Sequence, residues 1–258
     1  HDMQRKVFIK ILKFYKKPTL LTLGDGRYGN DAKYFIKNGI KTHASDISDK
    51  LLKIANETGF INEYSCQNAE DLTFKEEEFD FILIKEALHH CPRPQLALSE
   101  MLRCAKIGIF ISEPRDLFID STWCLKIILF IYKILKNKIY PKHVYETVGN
   151  YTFTFSQREI EKASLSLHFH NIAFKSINTS QIPGMEFVDL NSTKPKDKRK
   201  IRLWKFKVRI FDLLTNLGLM KSLVISSIIF KNTPSKELKN QMKNDGWVFP
   251  ELPKNEYL

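Results

Sequence analysis

Hydrophobic positions in the first half of the chain follow two alternating rhythms, one at helical spacing and one of short unbroken apolar runs. Val7–Lys17 (VFIKILKFYKK) repeats apolar residues at helical spacing, and Pro18 closes the pattern. Thr19–Gly24 (TLLTLG) is a short apolar run ahead of glycines and predicts a buried strand. Asn30 or Asp31 can cap a helix that runs to about Asn38, with Gly39 as its stop. Ile40–Asp46 predicts a second strand ending in a carboxylate, and Ser48–Gly59 a helix with Leu51, Leu52, Ile54 and Ala55 inward. Glu63–Asp71 reads as a weaker strand and loop. Phe79–His90 opens as a strongly apolar strand, Arg93–Lys106 as a helix and Ile107–Pro114 as another buried strand. The order is α-β-α-β-α-β-β-α-β, with no evident helix between the third and fourth strands. Strands alternating with helices at this spacing predict a parallel, doubly wound α/β sheet.

After Pro114 the rhythm breaks. Leu117–Lys138 is helical but has only a narrow polar edge at Lys126, Lys133 and Asn137, so it predicts a cap, a dimer contact or a segment resting on a membrane. Tyr145–Phe155 is aromatic and strand- or loop-like. Ser156 with Glu159 three residues on forms a capping box at a helix start. Asn171–Asn178 and Leu223–Phe230 read as strands, and Ser192–Lys200 as a solvated charge run. Ile201–Gly218 is an amphipathic helix with an apolar stripe of Leu203, Phe206, Ile210, Leu213 and Leu217, and Arg202, Lys205, Arg209 and Asp212 opposite. The expected organisation is a core over 1–116, an inserted segment over 117–155, and completion of the sheet over 156–258 with a basic helical insertion near 180–222.

The chain has 258 residues, enough for one large domain, and 43% of them are hydrophobic, which supports a full core. His1-Asp2 ahead of Met3 is set aside as a cloning remnant. Cys66, Cys91, Cys104 and Cys124 form no C-x-x-C pair, consistent with reduced thiols in a cytoplasmic protein. No stretch reaches about 18 uncharged apolar residues, which argues against a transmembrane helix. Net charge is +12, but residues 1–116 carry only +1 and residues 117–258 carry +11. The second half thus suits an anionic partner: a phosphate-bearing small molecule, a membrane surface or RNA. The bland alternative is a lysine-rich surface without a partner.

Gly24, Gly26 and Gly29 give the spacing Gly-x-Gly-x-x-Gly between a strand and a helix, and about twenty residues later a strand ends in Asp46. Such glycines let backbone approach a ligand, the helix start offers unpaired N–H groups, and the carboxylate can accept from a ribose diol. These residues alone fit NAD-type cofactors and S-adenosylmethionine (SAM) alike. The next motifs decide between them. Asn68-Ala69-Glu70-Asp71-Leu72-Thr73-Phe74, then Phe79-Asp80, then Ala87-Leu88-His89-His90 follow in order. Together they resemble the class I SAM-dependent methyltransferases of the small-molecule type, over roughly residues 18–116. Gly149–Lys162 is similar, more weakly, to a segment of bacterial methyltransferases found with surface-polysaccharide genes.

The resemblance implies a Rossmann-like, mostly parallel seven-stranded sheet with a helical insertion or cap after the fifth strand. It implies that Gly24, Asp25, Gly26 and Gly29 wrap the methionyl and ribose parts of SAM, that Asp46 holds the ribose hydroxyls, and that Ile47 packs on adenine. Asn68, Ala69 and Glu70 would edge the adenine, and Lys85 and Glu86 would lie near the sulfonium end. Thr22 departs from the pattern: the family usually has an acidic residue two before the first glycine. Asn68 likewise replaces the usual Asp.

An oxygen nucleophile gains from a base with pKa near neutrality, which His89 or His90 can supply, His89 being preferred. Glu86, Glu113 and Arg115 at strand ends are alternative base or substrate-anchoring groups. His143 and Tyr151 can line an acceptor pocket. Packing roles are the alternative for all of these. His168 and His170 lack a third ligand, and no metal site is expected. The leading expectation is O-methylation of a phosphate-bearing sugar or related precursor of a cell-surface polysaccharide, by a cytoplasmic monomer or homodimer with peripheral membrane contact. The alternatives are a lipid-associated small-molecule methyltransferase, an RNA methyltransferase without a recognisable RNA-binding module, and a non-catalytic SAM-fold protein.

Overall fold

The computed structural model describes residues 2–120, 122–136, 143–147, 149–179, 182, 185, 188 and 192–253. Seven strands form one sheet: β1 (Thr19–Leu23), β2 (Lys41–Asp46), β3 (Glu63–Cys66), β4 (Phe79–Lys85), β5 (Ala105–Pro114), β8 (Asn171–Ile177) and β9 (Val224–Phe230). Their order across the sheet is β3-β2-β1-β4-β5-β9-β8. The pairs β1–β2, β2–β3, β1–β4 and β4–β5 are parallel. Strands β4 and β9 are apolar almost throughout because helices cover both faces of the sheet, as parallel sheets require. One core on the sheet is built around Leu21, Ile82, Ile109, Met101 and Ile160, and a second around Phe8, Phe35, Phe81, Phe110 and Trp247.

Helices α1 (Asp2–Leu12), α2 (Asn30–Lys37), α3 (Lys50–Glu57) and α4 (Pro94–Cys104) follow the expected rhythm, and the β3–β4 connection carries no helix. Several boundaries differ from expectation. Helix α1 ends at Leu12, before Lys17, which adopts φ 51 ahead of Pro18. Ile54 in α3 is exposed, whereas Leu52 and Ala55 are buried. Helix α6 (Gln157–Ser166) starts at the expected capping box: Ser156 Oγ accepts from Glu159 N at 3.2 Å, and Glu159 Oε2 accepts from Ser156 N at 2.7 Å. Helix α8 (Lys236–Asn244) is not evident in the sequence pattern, because its buried anchors are only Leu238 and Met242.

The chain divides into two compact units. The first comprises residues 1–114, 143–175 and 225–258, and the second 115–142 and 176–224. The inserted segment expected at 117–155 is therefore split. Its helix, α5 (Trp123–Lys136), belongs to the second unit, while the antiparallel hairpin of β6 (Val144–Tyr145) and β7 (Tyr151–Thr152) belongs to the first. Phe153 N donates to His89 O at 3.0 Å and Phe155 N to Pro114 O at 3.1 Å, which ties the hairpin's exit to the sheet. The second unit also holds α7 (Pro195–Asn216), whose first turns absorb most of the charge run expected to be solvated loop, with Pro195 in its first turn. Among the described residues no helix is long and apolar enough to cross a membrane.

Candidate active site

Strand β1 lies between β2 and β4, so the chain reverses its winding there, and ligands in such sheets bind beyond the carboxyl ends of the strands at that point. Three strand ends supply the groups. After β1, Gly24 adopts φ 74, and a Cβ there would meet Ala87 Cβ, just past β4, at 2.2 Å. Gly24 is thus fixed by both backbone conformation and close approach. Gly26 serves a different purpose. Its N–H donates to Asp46 Oδ2 at 2.9 Å, and a Cβ on it would stand 2.6 Å from that oxygen. Asp46 Oδ1 accepts from Ser48 N at 2.9 Å. The carboxylate at the end of β2 is therefore held by backbone with lone pairs to spare for further donors. Beside it Ile47 is 74% exposed, an apolar side chain without cover next to a hydrogen-bonding carboxylate.

The Asp25 side chain turns inward, buried, and caps α2 by accepting from Asp31 N at 3.0 Å and Ala32 N at 2.8 Å. The N-cap is Gly29, at φ 61, rather than Asn30 or Asp31, and the capping carboxylate comes from within the glycine turn. Thr22 Oγ1 donates to Asp25 Oδ2 at 3.1 Å. Thr22, where the family usually has an acidic residue, therefore contacts a carboxylate carried three residues on by Asp25. Burial and the neighbouring charge of Asp31 push Asp25 up to about 7, despite the three hydrogen bonds it accepts.

Lys85 closes β4 and Glu86 follows it. Lys85 is buried with its Nζ 3.4 Å from Asp31 Oδ2, and Arg5 Nε pairs with Asp31 Oδ1 at 2.5 Å. Asp31 lies in the first turn of α2, so both cations are held at that helix start. Glu86 adopts φ 51 and its Oε1 accepts from Gln4 Nε2 at 2.7 Å. Gln4 and Arg5 of α1 were invisible as site residues in the sequence, since their partners lie far along the chain. In the loop after β3, Asn68 is exposed and its Oδ1 accepts from Glu70 N at 3.0 Å, which leaves its amide nitrogen as a donor. The Glu70 carboxylate instead braces the start of α4, accepting from Arg93 N at 2.6 Å and Arg93 Nε at 2.8 Å. Ala69 is half-buried against the core.

The third group follows β4. Glu113, at the end of β5, is fully buried. Its Oε1 accepts from Ala87 N at 3.0 Å and Leu88 N at 2.8 Å, and its Oε2 stands 2.5 Å from His89 Nδ1. A carboxylate only accepts here, so Nδ1 carries the proton and Nε2 is the basic ring atom. Both Glu113 oxygens are therefore engaged by the turn after β4. Burial alone would lower the His89 pKa. The hydrogen bond and charge of Glu113, with the charges of Glu86 and Glu146, outweigh it and raise the pKa above the ordinary histidine value.

The ring of His90 lies 3.9 Å from that of His89, and its Nδ1 pairs with Glu146 Oε1 of the hairpin at 2.7 Å. His143 Nδ1 and Tyr151 OH are 3.1 Å apart. The hairpin thus brings Glu146 and Tyr151 into the neighbourhood of the His pair, around a cavity of about 270 Å³ lined by His90, Pro92, Gly149, Asn150, Tyr151 and Phe153. The Arg115 guanidinium is buried within the second unit, donating to Asp120 Oδ2 at 2.5 Å and Ser222 Oγ at 3.3 Å. Another cavity, of about 200 Å³, opens at the amino ends of the strands near Thr19, Lys41, Glu63 and Phe79, the wrong edge of the sheet for this chemistry.

Residues 21–111 match the family model described as a methyltransferase domain. An uncharacterized protein of Methanocaldococcus jannaschii is 39% identical over 87 residues, a match spanning 33% of this chain and 38% of that relative. Among solved structures, a SAM-dependent methyltransferase of Methanosarcina mazei aligns over 87% of this chain and 98% of its own, with TM-score 0.55 at 14% identity. The YcgJ protein of Bacillus subtilis aligns over 91% of this chain and 100% of its own, with TM-score 0.55 at 17% identity. The 1,6-didemethyltoxoflavin-N1-methyltransferase of Burkholderia thailandensis, solved with S-adenosylhomocysteine, aligns over 89% of this chain and 77% of its own, with TM-score 0.51 at 14% identity. The fold is that of the class I SAM-dependent methyltransferases, and the matched domain contains every residue of the glycine turn, Asp46, the Asn68–Glu70 loop and His89.

The residues present fit SAM chemically: a Cβ-free surface at Gly26, a backbone-fixed carboxylate at Asp46 and an uncovered Ile47 are the groups a ribose and a base would use.

Proposed function

We propose that this chain transfers a methyl group from SAM to an oxygen of an anionic small molecule, the acceptor class being a phosphate-bearing sugar or related precursor of a cell-surface polysaccharide. The observation that carries the oxygen acceptor is the His89–Glu113 pair. Bound over Gly26, Asp46 and Ile47, SAM would supply a methyl already activated on a sulfonium. What remains for the chain is alignment, exclusion of water and removal of one proton. Glu113 fixes the His89 tautomer, so Nε2 takes the acceptor's hydroxyl proton, and the imidazolium that results is stabilised by the same carboxylate. His90, Tyr151 and Phe153 line the neighbouring cavity where an acceptor ring would rest. The sugar-phosphate class is supported by the resemblance of Gly149–Lys162 and by the charge of the second half.

Two measurements test the reading separately. Calorimetry with SAM and S-adenosylhomocysteine tests the cradle, with binding expected for both. Transfer of label from methyl-labelled SAM onto nucleotide sugars, lipid-linked sugar phosphates and tRNA tests the acceptor. Product labelled on a hydroxyl and lost in His89→Gln supports the proposal. Label on a nitrogen, or on tRNA alone, overturns the acceptor class while leaving the cradle intact.

A further inference from the structure

Helix α7 carries two apolar faces where a helix on a core needs one. Ile201 and Val208 are buried, and Trp204, Phe211 and Leu214 are half-buried beside them. From beside that face Asp212 Oδ1 and Thr215 Oγ1 accept from Asn178 Nδ2 of the same unit, each at 3.0 Å. The regular stripe anticipated as the packed face, Leu203, Phe206, Ile210, Leu213 and Leu217, points to solvent instead. Phe206 is 60%, Leu213 58% and Leu217 62% exposed. These five residues recur every three or four positions along four turns, so they form one continuous strip. By the same helical period Arg202 and Arg209 run along one edge of the strip and Lys207 along the other. Helix α5, in the same unit, repeats the arrangement: Trp123 is 72% and Phe130 63% exposed, with Ile127, Ile131 and Ile134 also exposed and Lys126 and Lys133 along one edge. The two segments of this unit hold sixteen Lys and Arg against six Asp and Glu, which is ten of the chain's net +12.

We infer that the second compact unit docks on an anionic lipid surface, with the apolar strips of α7 and α5 entering the headgroup–acyl boundary and their flanking Lys and Arg reaching the lipid phosphates. The chemistry selects this occupant. A second copy seated on the α7 strip would bring Arg202, Lys207 and Arg209 against residues of the same sign, with only Asp197 and Asp212 on the helix to offset them. RNA would take up the cations and stack on Phe206, but would leave Leu203, Ile210, Leu213 and Leu217 of the same strip in water. An anionic bilayer satisfies both: basic side chains near its surface are attracted, long cationic stems lie along apolar surface, and the strip leaves water. The inference does not depend on the acceptor proposed above.

The test is flotation of the full chain with phosphatidylcholine vesicles and with vesicles carrying 30% phosphatidylglycerol. Binding is expected only to the second, falling at least about tenfold in Arg202→Glu/Arg209→Glu and also lost in Phe206→Gln/Leu213→Gln. All four positions are exposed, so unchanged thermal melting and SAM affinity are expected in both variants. A blue shift of Trp123 fluorescence on vesicle addition, absent in Trp123→Phe, reports insertion independently. No flotation of the wild type, or flotation that survives Phe206→Gln/Leu213→Gln undiminished, overturns the inference. So does a dimer in solution that the same pair of substitutions dissolves while vesicles stay bare. Retention of tRNA with no vesicle binding overturns it in favour of nucleic acid.

Discussion

In Gly26→Ala the added methyl arrives 2.6 Å from Asp46 Oδ2 and 2.9 Å from Oδ1, closer than any non-bonded contact allows. Something must move, and the free end of the Asp46 side chain is the cheapest part. Gly26 is not among the glycines at positive φ, so alanine introduces no backbone strain there. The expected result is a chain that folds as before with its ribose carboxylate displaced. A hydrogen bond to a charged acceptor is worth about 1.5–3 kcal/mol, so loss of one such bond weakens SAM by about 10- to 150-fold. Calorimetry for affinity and thermal melting without ligand separate the two effects. A double-mutant cycle sharpens the test: with Asp46→Ala already present, the part of the Gly26→Ala loss that comes from displacing the carboxylate should vanish, leaving only the methyl's own contact with SAM. Gly26→Ala that binds SAM within about twofold of wild type, or losses that add in full with no coupling between the two sites, would refute the assignment of Asp46 as the ribose acceptor.

Gly24→Ala should do the opposite and damage the fold, since its Cβ meets Ala87 Cβ at 2.2 Å and φ is 74; overpacking of about 1–3 kcal/mol and left-handed strain of about 1–2 kcal/mol should both appear in urea denaturation. Glu113→Gln should leave SAM affinity intact and cut turnover by about 10²- to 10⁴-fold, because its NH₂ would donate to His89 Nδ1 and force the ring proton onto Nε2. In the wild type the base works only when neutral, so turnover should rise with pH through a midpoint above the ordinary histidine value, read from a pH–rate profile. Asp25 has a pKa raised from 3.8 to about 7 on folding. A raised acid binds its proton more tightly in the native state, so its contribution to stability is complete below the unfolded value and is lost as pH rises through about 7. Asp25→Asn should therefore flatten that part of the melting-temperature profile between the two values, and an unchanged slope would show that Asp25 ionises normally.

Much of this protein was legible locally. Period and turn residues set out the strands and helices of the methyltransferase-like region, because parallel strands buried on both faces must be apolar runs and their helices must be amphipathic. The capping box at Ser156 and Glu159 needs only four consecutive residues, and it formed as written. The placement of Asp46 and His89 at or just beyond strand ends was legible because a strand end fixes where its next side chain stands. Other features needed the tertiary structure. Asp25 and Thr22 meet through a contact that depends on how the glycine turn folds back on α2. Glu113 and His89 meet because β5 lies beside β4, and Gln4 reaches Glu86 across 82 residues of sequence. For α7 the sequence determined that one apolar stripe exists at helical spacing, and a period alone cannot say which side of a helix the fold will use. Burial chose Ile201 and Val208, and left the more regular stripe, bordered by Arg202, Lys207 and Arg209, facing solvent.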